Sequence, residues 1–200
     1  LTTISRIRAL LPFLAATLLL AGCDGGGPKF KSTDITGADF GRSLALTGHD
    51  GKARTLEDFR GKLVVMSFGF TRCPDICPTT LADLAQAMRA LGADAEKVQV
   101  LFVTMDPARD TREVLSQYVP AFDPGFLGLY GDEEATRRTA REFKIFYEKR
   151  EGSAPDAYTI DHSSQSYVLD AQGRLRLFVR HDRIAGDLAA DLRQLLKEAR

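Results

Sequence analysis

Net charge is the first thing this sequence lacks. Across 200 residues, 27 Lys and Arg face 27 Asp and Glu, so with its three histidines neutral the chain carries no formal charge. That balance excludes the footprint of a nucleic-acid binder, which needs a basic stripe or patch, and no nucleic-acid partner is expected. Cysteine and histidine are scarce, at three each. There is no internal repeat and no long low-complexity tract. No apolar run reaches comfortably to the ~20 residues of a transmembrane helix. With 44% hydrophobic residues, the chain reads as one globular domain with an appendage.

The appendage is at the front. Arg6 and Arg8 precede an apolar run over residues 9–21, which ends in Leu20-Ala21-Gly22-Cys23. This has the form of a secretory signal followed by a lipoprotein processing site. Residues 1–22 are therefore expected to be a signal peptide, with Cys23 the lipidated residue. Asp24, directly after it, resembles the inner-membrane retention signal of bacterial lipoproteins. Residues 23–41, with Gly25-Gly26-Gly27-Pro28, read as lipid anchor and flexible linker, and 42–200 as the domain. The expected location is the periplasmic face of a bacterial inner membrane. Loss of residues 1–22 removes two basic groups and no acid, which leaves 25 against 27 and a charge near −2. Cysteine usage fits export: one for the lipid and one pair for chemistry. An unprotected dithiol closes readily in an oxidising compartment, so keeping it open calls for a thiol reductant as a partner.

That pair, Cys73 and Cys77, lies in Thr-Arg-Cys-Pro-Asp-Ile-Cys-Pro-Thr-Thr-Leu, residues 71–81. Upstream, residues 63–70 are apolar with β-branched and aromatic members, a buried strand. Downstream, Leu81, Leu84, Ala85, Met88 and Leu91 recur at helical spacing over 80–91, and Gly92 is a stop. The dithiol thus sits on a strand-to-helix turn, where free N–H groups and the positive dipole end favour thiolate. Pro74 and Pro78 fix φ and start the helix cleanly.

The remaining chain alternates. A hairpin is expected at 43–47 and 53–56, a second buried strand at 98–104, a helix at 111–118, a short strand at 126–129, and a helix to about residue 143 capped by Asp132. Residues 148–160 carry Gly152, Ser153 and Pro155 with no apolar period and read as a mobile loop. A hairpin at 166–170 and 175–180 and an amphipathic helix at 185–199 close the chain. This is an α/β sheet with helices on both faces, and the active cysteine pair after the first central strand makes it thioredoxin-like, with an N-terminal hairpin extension and a C-terminal hairpin plus helix.

Soft monovalent copper prefers thiolate and imidazole ligands. Cβ atoms one helical turn apart stand about 5–6 Å from each other, and small χ1 changes bring the sulfurs to one ion. The same spacing suits a disulfide, so the pair alone leaves both open. For a third ligand the candidates are His49, His162 and His181. His49 in a hairpin turn and His181 after a strand read as solvated surface residues. His162, between the mobile loop and a strand, has Asp161 and Ser163 beside it as partners for its free ring N–H. Local sequence leaves it balanced between ligand and surface residue.

Gly69-Phe70-Thr71-Arg72-Cys73-Pro74-Asp75-Ile76-Cys77-Pro78 resembles the signature of the Sco/SenC copper-binding proteins, which act in assembly of cytochrome c oxidase. The likeness continues through residues 33–38, Asp106-Pro107-Ala108-Arg109-Asp110-Thr111, Phe122-Asp123-Pro124 and Asp161-His162-Ser163, nearly the whole mature chain. The resemblance implies that Cys73, Cys77 and His162 ligate one copper ion. It also implies a metallochaperone that serves the copper-bearing subunit of the oxidase, loaded by a copper donor and tethered to the membrane through its lipid. Two residues depart from the pattern: Arg112 stands for a common Pro, which weakens a helix start, and Met105 for a usual Val, which reads as core. Asp106, Arg109 and Asp110 read as a local network holding the loop beside the dithiol. Arg137, Arg138 and Arg141 read as a solvated helix face.

Three alternatives remain. A thiol-disulfide oxidoreductase using Cys73 and Cys77 fits the fold, although its usual motif is Cys-x-x-Cys. A peroxidase lacks a matching single-thiolate environment. A structural disulfide in a binding module is the last.

Overall fold

The computed structural model describes residues 30–153 and 157–199. In chain order the elements are β1 (Thr33–Asp34), β2 (Leu46–Gly48), β3 (Ala53–Arg54), β4 (Leu63–Gly69), α1 (Ile76–Leu91), β5 (Val98–Thr104), α2 (Arg112–Tyr118), β6 (Leu127–Tyr130), α3 (Glu133–Glu142), β7 (Tyr147–Arg150), β8 (Thr159–His162), β9 (Ser166–Leu169), β10 (Leu175–Val179) and α4 (Ala189–Glu198). Eight strands form one sheet in the order β1-β10-β9-β4-β5-β6-β2-β3. The central β4, β5 and β6 run parallel, and β9 joins β4 antiparallel.

Alternation along β4 divides the core. Val64, Met66 and Phe68 face one side, with Phe70 beyond them, where Phe143, Tyr167 and Leu175 pack. Leu63 and Val65 face the other, against Leu81, Leu84 and Met88 of α1 and Leu192 and Leu195 of α4. Helices on both faces of a sheet with a parallel centre are the thioredoxin-like layout expected from the sequence.

Several boundaries differ. Helix α1 begins at Ile76, four residues earlier than expected, and ends at Gly92 with φ 63°. Pro78 is tolerated inside its first turn because the N–H it lacks would have no intrahelical partner. Thr111 and Asp132 cap α2 and α3 by accepting from the Val114 and Ala135 N–H groups. The closing helix opens with a π turn, Ile184–Leu188, before α4.

Two segments depart more. Residues 148–160, read as a mobile loop, hold most of an antiparallel ribbon, with β7 paired to β8 from Tyr147↔His162 to Arg150↔Thr159. Its sequence shows no apolar alternation because charged side chains hold it: Arg150 Nε donates to Asp161 Oδ2 at 2.8 Å, and Ile160 is its single buried residue. Within the stretch read as linker, residues 30–41 lie on the domain. The Lys31 and Ser32 N–H groups donate to the buried Asp191 carboxylate at 2.7 and 2.8 Å, and β1 pairs with β10 at the sheet edge. Cys23 and the apolar run before it lie outside the described residues.

Candidate metal centre

Strand β4 delivers the chain to the site and stops at Gly69. Beyond it, Thr71 is pinned by Asp110, whose carboxylate accepts from the Thr71 N–H at 3.0 Å and from its hydroxyl at 2.6 Å. The Thr104 hydroxyl at the end of β5 donates to the same carboxylate at 2.6 Å. Asp110 is fully buried, and burial raises its pKa against the opposing pull of these bonds. The turn then closes through a Cys73 N–H to Phe70 carbonyl bond of 3.2 Å.

Cys77 lies in the first turn of α1, buried, with Cys73 one turn ahead and half-buried. The Cys77 N–H donates to Cys73 Sγ at 3.4 Å, so the helix's free amide is directed at the first sulfur. Cys77 does not follow the expectation of a dipole-stabilised thiolate. Burial pushes its thiol well above the usual range, because a thiolate there would be removed from water, and the neighbouring Cys73 sulfur adds to the rise. Gly69 makes room for this sulfur: a Cβ there would stand 2.6 Å from Cys77 Sγ and 3.0 Å from the Phe102 ring.

His162 closes the site from the end of β8. Its Nε2 lies 3.4 Å from Cys77 Sγ, and its Nδ1 lies 2.9 Å from the Ser163 carbonyl oxygen. A carbonyl only accepts, so Nδ1 carries the ring proton, Nε2 holds a free lone pair, and the Cys77 thiol donates to it. The partner is thus the Ser163 backbone; the Ser163 hydroxyl instead accepts from the Phe146 N–H, and Asp161 pairs with Arg150. Burial holds the imidazole below its ordinary pKa, so it is neutral at pH 7. The Phe70 ring meets it edge-on, centroids 5.9 Å apart.

Cys73 Sγ, Cys77 Sγ and a His162 nitrogen all lie within 4.8 Å of one another, and among the described residues this is the group able to hold a metal ion. The other histidines stand apart. His49, read as a solvated turn residue, is half-buried, and its Nδ1 accepts from the Gly128 N–H at 3.0 Å. His181 begins a 3-10 turn after β10. Met105 is buried in the core, as expected. Arg112 does more than weaken a helix start: its Nε donates to the His49 carbonyl at 3.1 Å, tying α2 to the β2–β3 turn. Arg137 and Arg138 form exposed pairs with Glu133 and Glu134, a solvated face as read.

Sequence reasoning missed Tyr158 and the closeness that Gly69 permits. A glycine inside a strand pattern is a signal of close approach, and it was available at Gly69. Nothing in the local sequence distinguishes Tyr158.

The fold and this cluster define a class, a thioredoxin-like domain with two sulfurs and one imidazole converging on one point. The SCO1/SenC family model matches residues 32–197, and the chain belongs to that family. The mouse (Mus musculus) mitochondrial SCO2 homologue is 37% identical over 153 residues, covering 76% of this chain and 60% of the relative. The chain thus spans about three fifths of that relative's length. Bradyrhizobium japonicum ScoI, solved with copper bound, is 35% identical with a TM-score of 0.73, covering 78% of this chain and 99% of that one. Apo Sco1 of Thermus thermophilus is 38% identical with a TM-score of 0.74, covering 86% and 99%.

Proposed function

We propose that this protein is a copper carrier. It holds one copper ion as cargo through Cys73 Sγ, Cys77 Sγ and His162 Nε2 and passes it to the copper-bearing subunit of cytochrome c oxidase during assembly. The observation that carries this reading is the convergence of two sulfurs and an imidazole lone pair within 4.8 Å. Two soft sulfurs and one imidazole are the donor set that monovalent copper prefers over harder ions. Three donors leave a coordination position free, so an incoming ligand can add before an old one leaves. The copper-bound Bradyrhizobium relative supports the cargo, and membership of a family of oxidase assembly proteins supports the recipient. The Leu-Ala-Gly-Cys pattern ending at Cys23 supports a lipid anchor on the periplasmic face of an inner membrane.

Titration of the reduced protein with cuprous ion against a chelator, followed by X-ray absorption, tests this. One copper per chain with two sulfurs and one nitrogen is expected. Cys73→Ser and Cys77→Ser should abolish tight binding, and His162→Ala should leave a weaker two-sulfur site. Unchanged affinity in His162→Ala removes the imidazole from the mechanism, and a wild-type protein that takes no copper sinks the reading.

One observation favours a second reading, a thiol-disulfide oxidoreductase. Cys73 is half-exposed and Cys77 buried, the asymmetry of an attacking and a resolving thiol. Disulfide turnover without copper, undiminished by His162→Ala, would establish it.

A further inference from the structure

The strand that carries His162 belongs to a two-stranded ribbon, hydrogen-bonded as a sheet of its own apart from the eight-stranded one. Such a ribbon is marginal by itself in water. Its position over the dithiol therefore depends on how its side chains dock. Ile160 supplies one anchor in the core. The other is Tyr158, just ahead of β8.

Tyr158 is held at three points. Its hydroxyl donates to Asp106 Oδ1 at 2.7 Å, its carbonyl accepts from Arg109 Nη1 at 2.9 Å, and its ring lies 3.5 Å from the Arg109 guanidinium carbon. Arg109 Nε in turn donates to Asp106 Oδ2, so each of the three residues touches the other two. The Arg109 side chain is 10% exposed and that of Asp106 3%. Arg109 also stands 5.9 Å from the Phe70 ring, the ring that meets His162 edge-on. One guanidinium thus contacts both the approach to the His162 strand and the ring against which the imidazole rests.

We propose that Tyr158, Arg109 and Asp106 form a latch that positions His162 and sets how readily its imidazole leaves the bound metal. The inference rests on the copper reading above. Cys77 is fixed on α1, whereas His162 is carried by the ribbon and reaches the helix only through its 3.4 Å contact with Cys77 Sγ, so it is the ligand free to leave first. The latch is strong because it joins a charge pair, a charge-assisted hydrogen bond and a cation–π contact in a half-buried place. It is also able to open. Arg109 Nη2 is buried with no hydrogen-bond partner among the described residues, and a donor left that way regains free energy on reaching water or an acceptor on a partner. Tyr158 and Arg109 are positioning residues, since neither belongs to the metal-holding group.

The test uses Tyr158→Phe, which keeps the ring and removes the hydroxyl. Copper release to a chelator should be about ten-fold faster, the scale of one charge-assisted hydrogen bond, with both sulfurs still bound and the nitrogen contribution to X-ray absorption reduced. In a His162→Ala background the same substitution should change nothing further. Wild-type release and nitrogen signal in Tyr158→Phe would overturn the latch, as would equal acceleration in both backgrounds, the mark of general loosening. A copper-free readout separates this from failure of the metal reading. Nuclear Overhauser contacts between the Phe70 and His162 rings should be present in the reduced apoprotein and weakened by Tyr158→Phe. Retention of them at full strength overturns the latch whether or not copper binds.

Discussion

Cys77 Sγ and His162 Nε2 stand 3.4 Å apart although 85 residues separate them in sequence. Both are neutral at pH 7, and burial reinforces this in each by raising the thiol and lowering the imidazole. The contact is a hydrogen bond between uncharged groups, and it ties the ribbon to α1.

Stability of the reduced apoprotein should therefore fall at both ends of the pH scale. An imidazole whose folded pKa lies below its ordinary 6.5 binds more protons unfolded, so its contribution is present above 6.5 and lost as pH falls through that value toward the folded one. A thiol raised above its ordinary 9.0 contributes fully below 9.0 and loses that contribution as pH rises further. Urea denaturation across pH should show both limbs, with His162→Ala reducing the acid one and Cys77→Ser the alkaline one. A flat profile would mean that the two groups are solvated.

Gly69→Ala should damage the site and the core together. The added methyl would stand 2.6 Å from Cys77 Sγ, a distance that forces the sulfur or β4 to move. Overpacking of this kind costs about 1–3 kcal/mol. Gly186, with nothing within 4 Å of its would-be Cβ, is the control and should tolerate alanine. Denaturation midpoints and copper affinities of the two variants decide it; Gly69→Ala matching wild type in both would mean that the sulfur is not confined there.

Asp110→Ala leaves three donors without their acceptor: the Thr71 N–H and the hydroxyls of Thr71 and Thr104. A loss of roughly 3 kcal/mol is expected, since each buried unpaired donor costs about 1–3 kcal/mol and the hydroxyls can turn elsewhere. The turn that carries Cys73 should loosen with it, which hydrogen exchange at Thr71 and Cys73 would register. Unchanged exchange would assign Asp110 to the core alone.

The central elements were legible because burial writes a period into the chain. Strands β4 and β5 are continuous apolar runs, α1 repeats Leu81, Leu84, Ala85 and Met88, and Thr111 and Asp132 stand where caps belong. The β7–β8 ribbon was illegible for the converse reason. Tyr147-Glu148-Lys149-Arg150 buries little, and its pairing comes from backbone and charge. Strand β1 is two exposed residues completing an edge. At the site the cysteine pair followed from spacing, but His162 was singled out from three histidines by family resemblance, and only tertiary structure shows Nε2 facing a sulfur. The thiolate expectation failed because helix position is visible in sequence and burial of one particular sulfur is not.

Copper loading should release protons in a way that identifies Cys77. A thiol must lose its proton to ligate, whereas a neutral imidazole has none to lose at Nε2. Since Cys77 is protonated throughout the neutral range, its proton is displaced by the metal, and apparent affinity should rise by about ten-fold per pH unit on its account. Chelator competition at several pH values measures the slope. Calorimetry in two buffers of different ionisation enthalpy counts the protons. Cys77→Ser should lower the slope by about one proton's worth along with weakening the site, while His162→Ala should weaken binding and leave the slope intact, because the imidazole enters already deprotonated at Nε2. An affinity independent of pH in the wild-type protein would show Cys77 to be a thiolate before the metal arrives, and the balance of burial against the helix end would then have to be reversed.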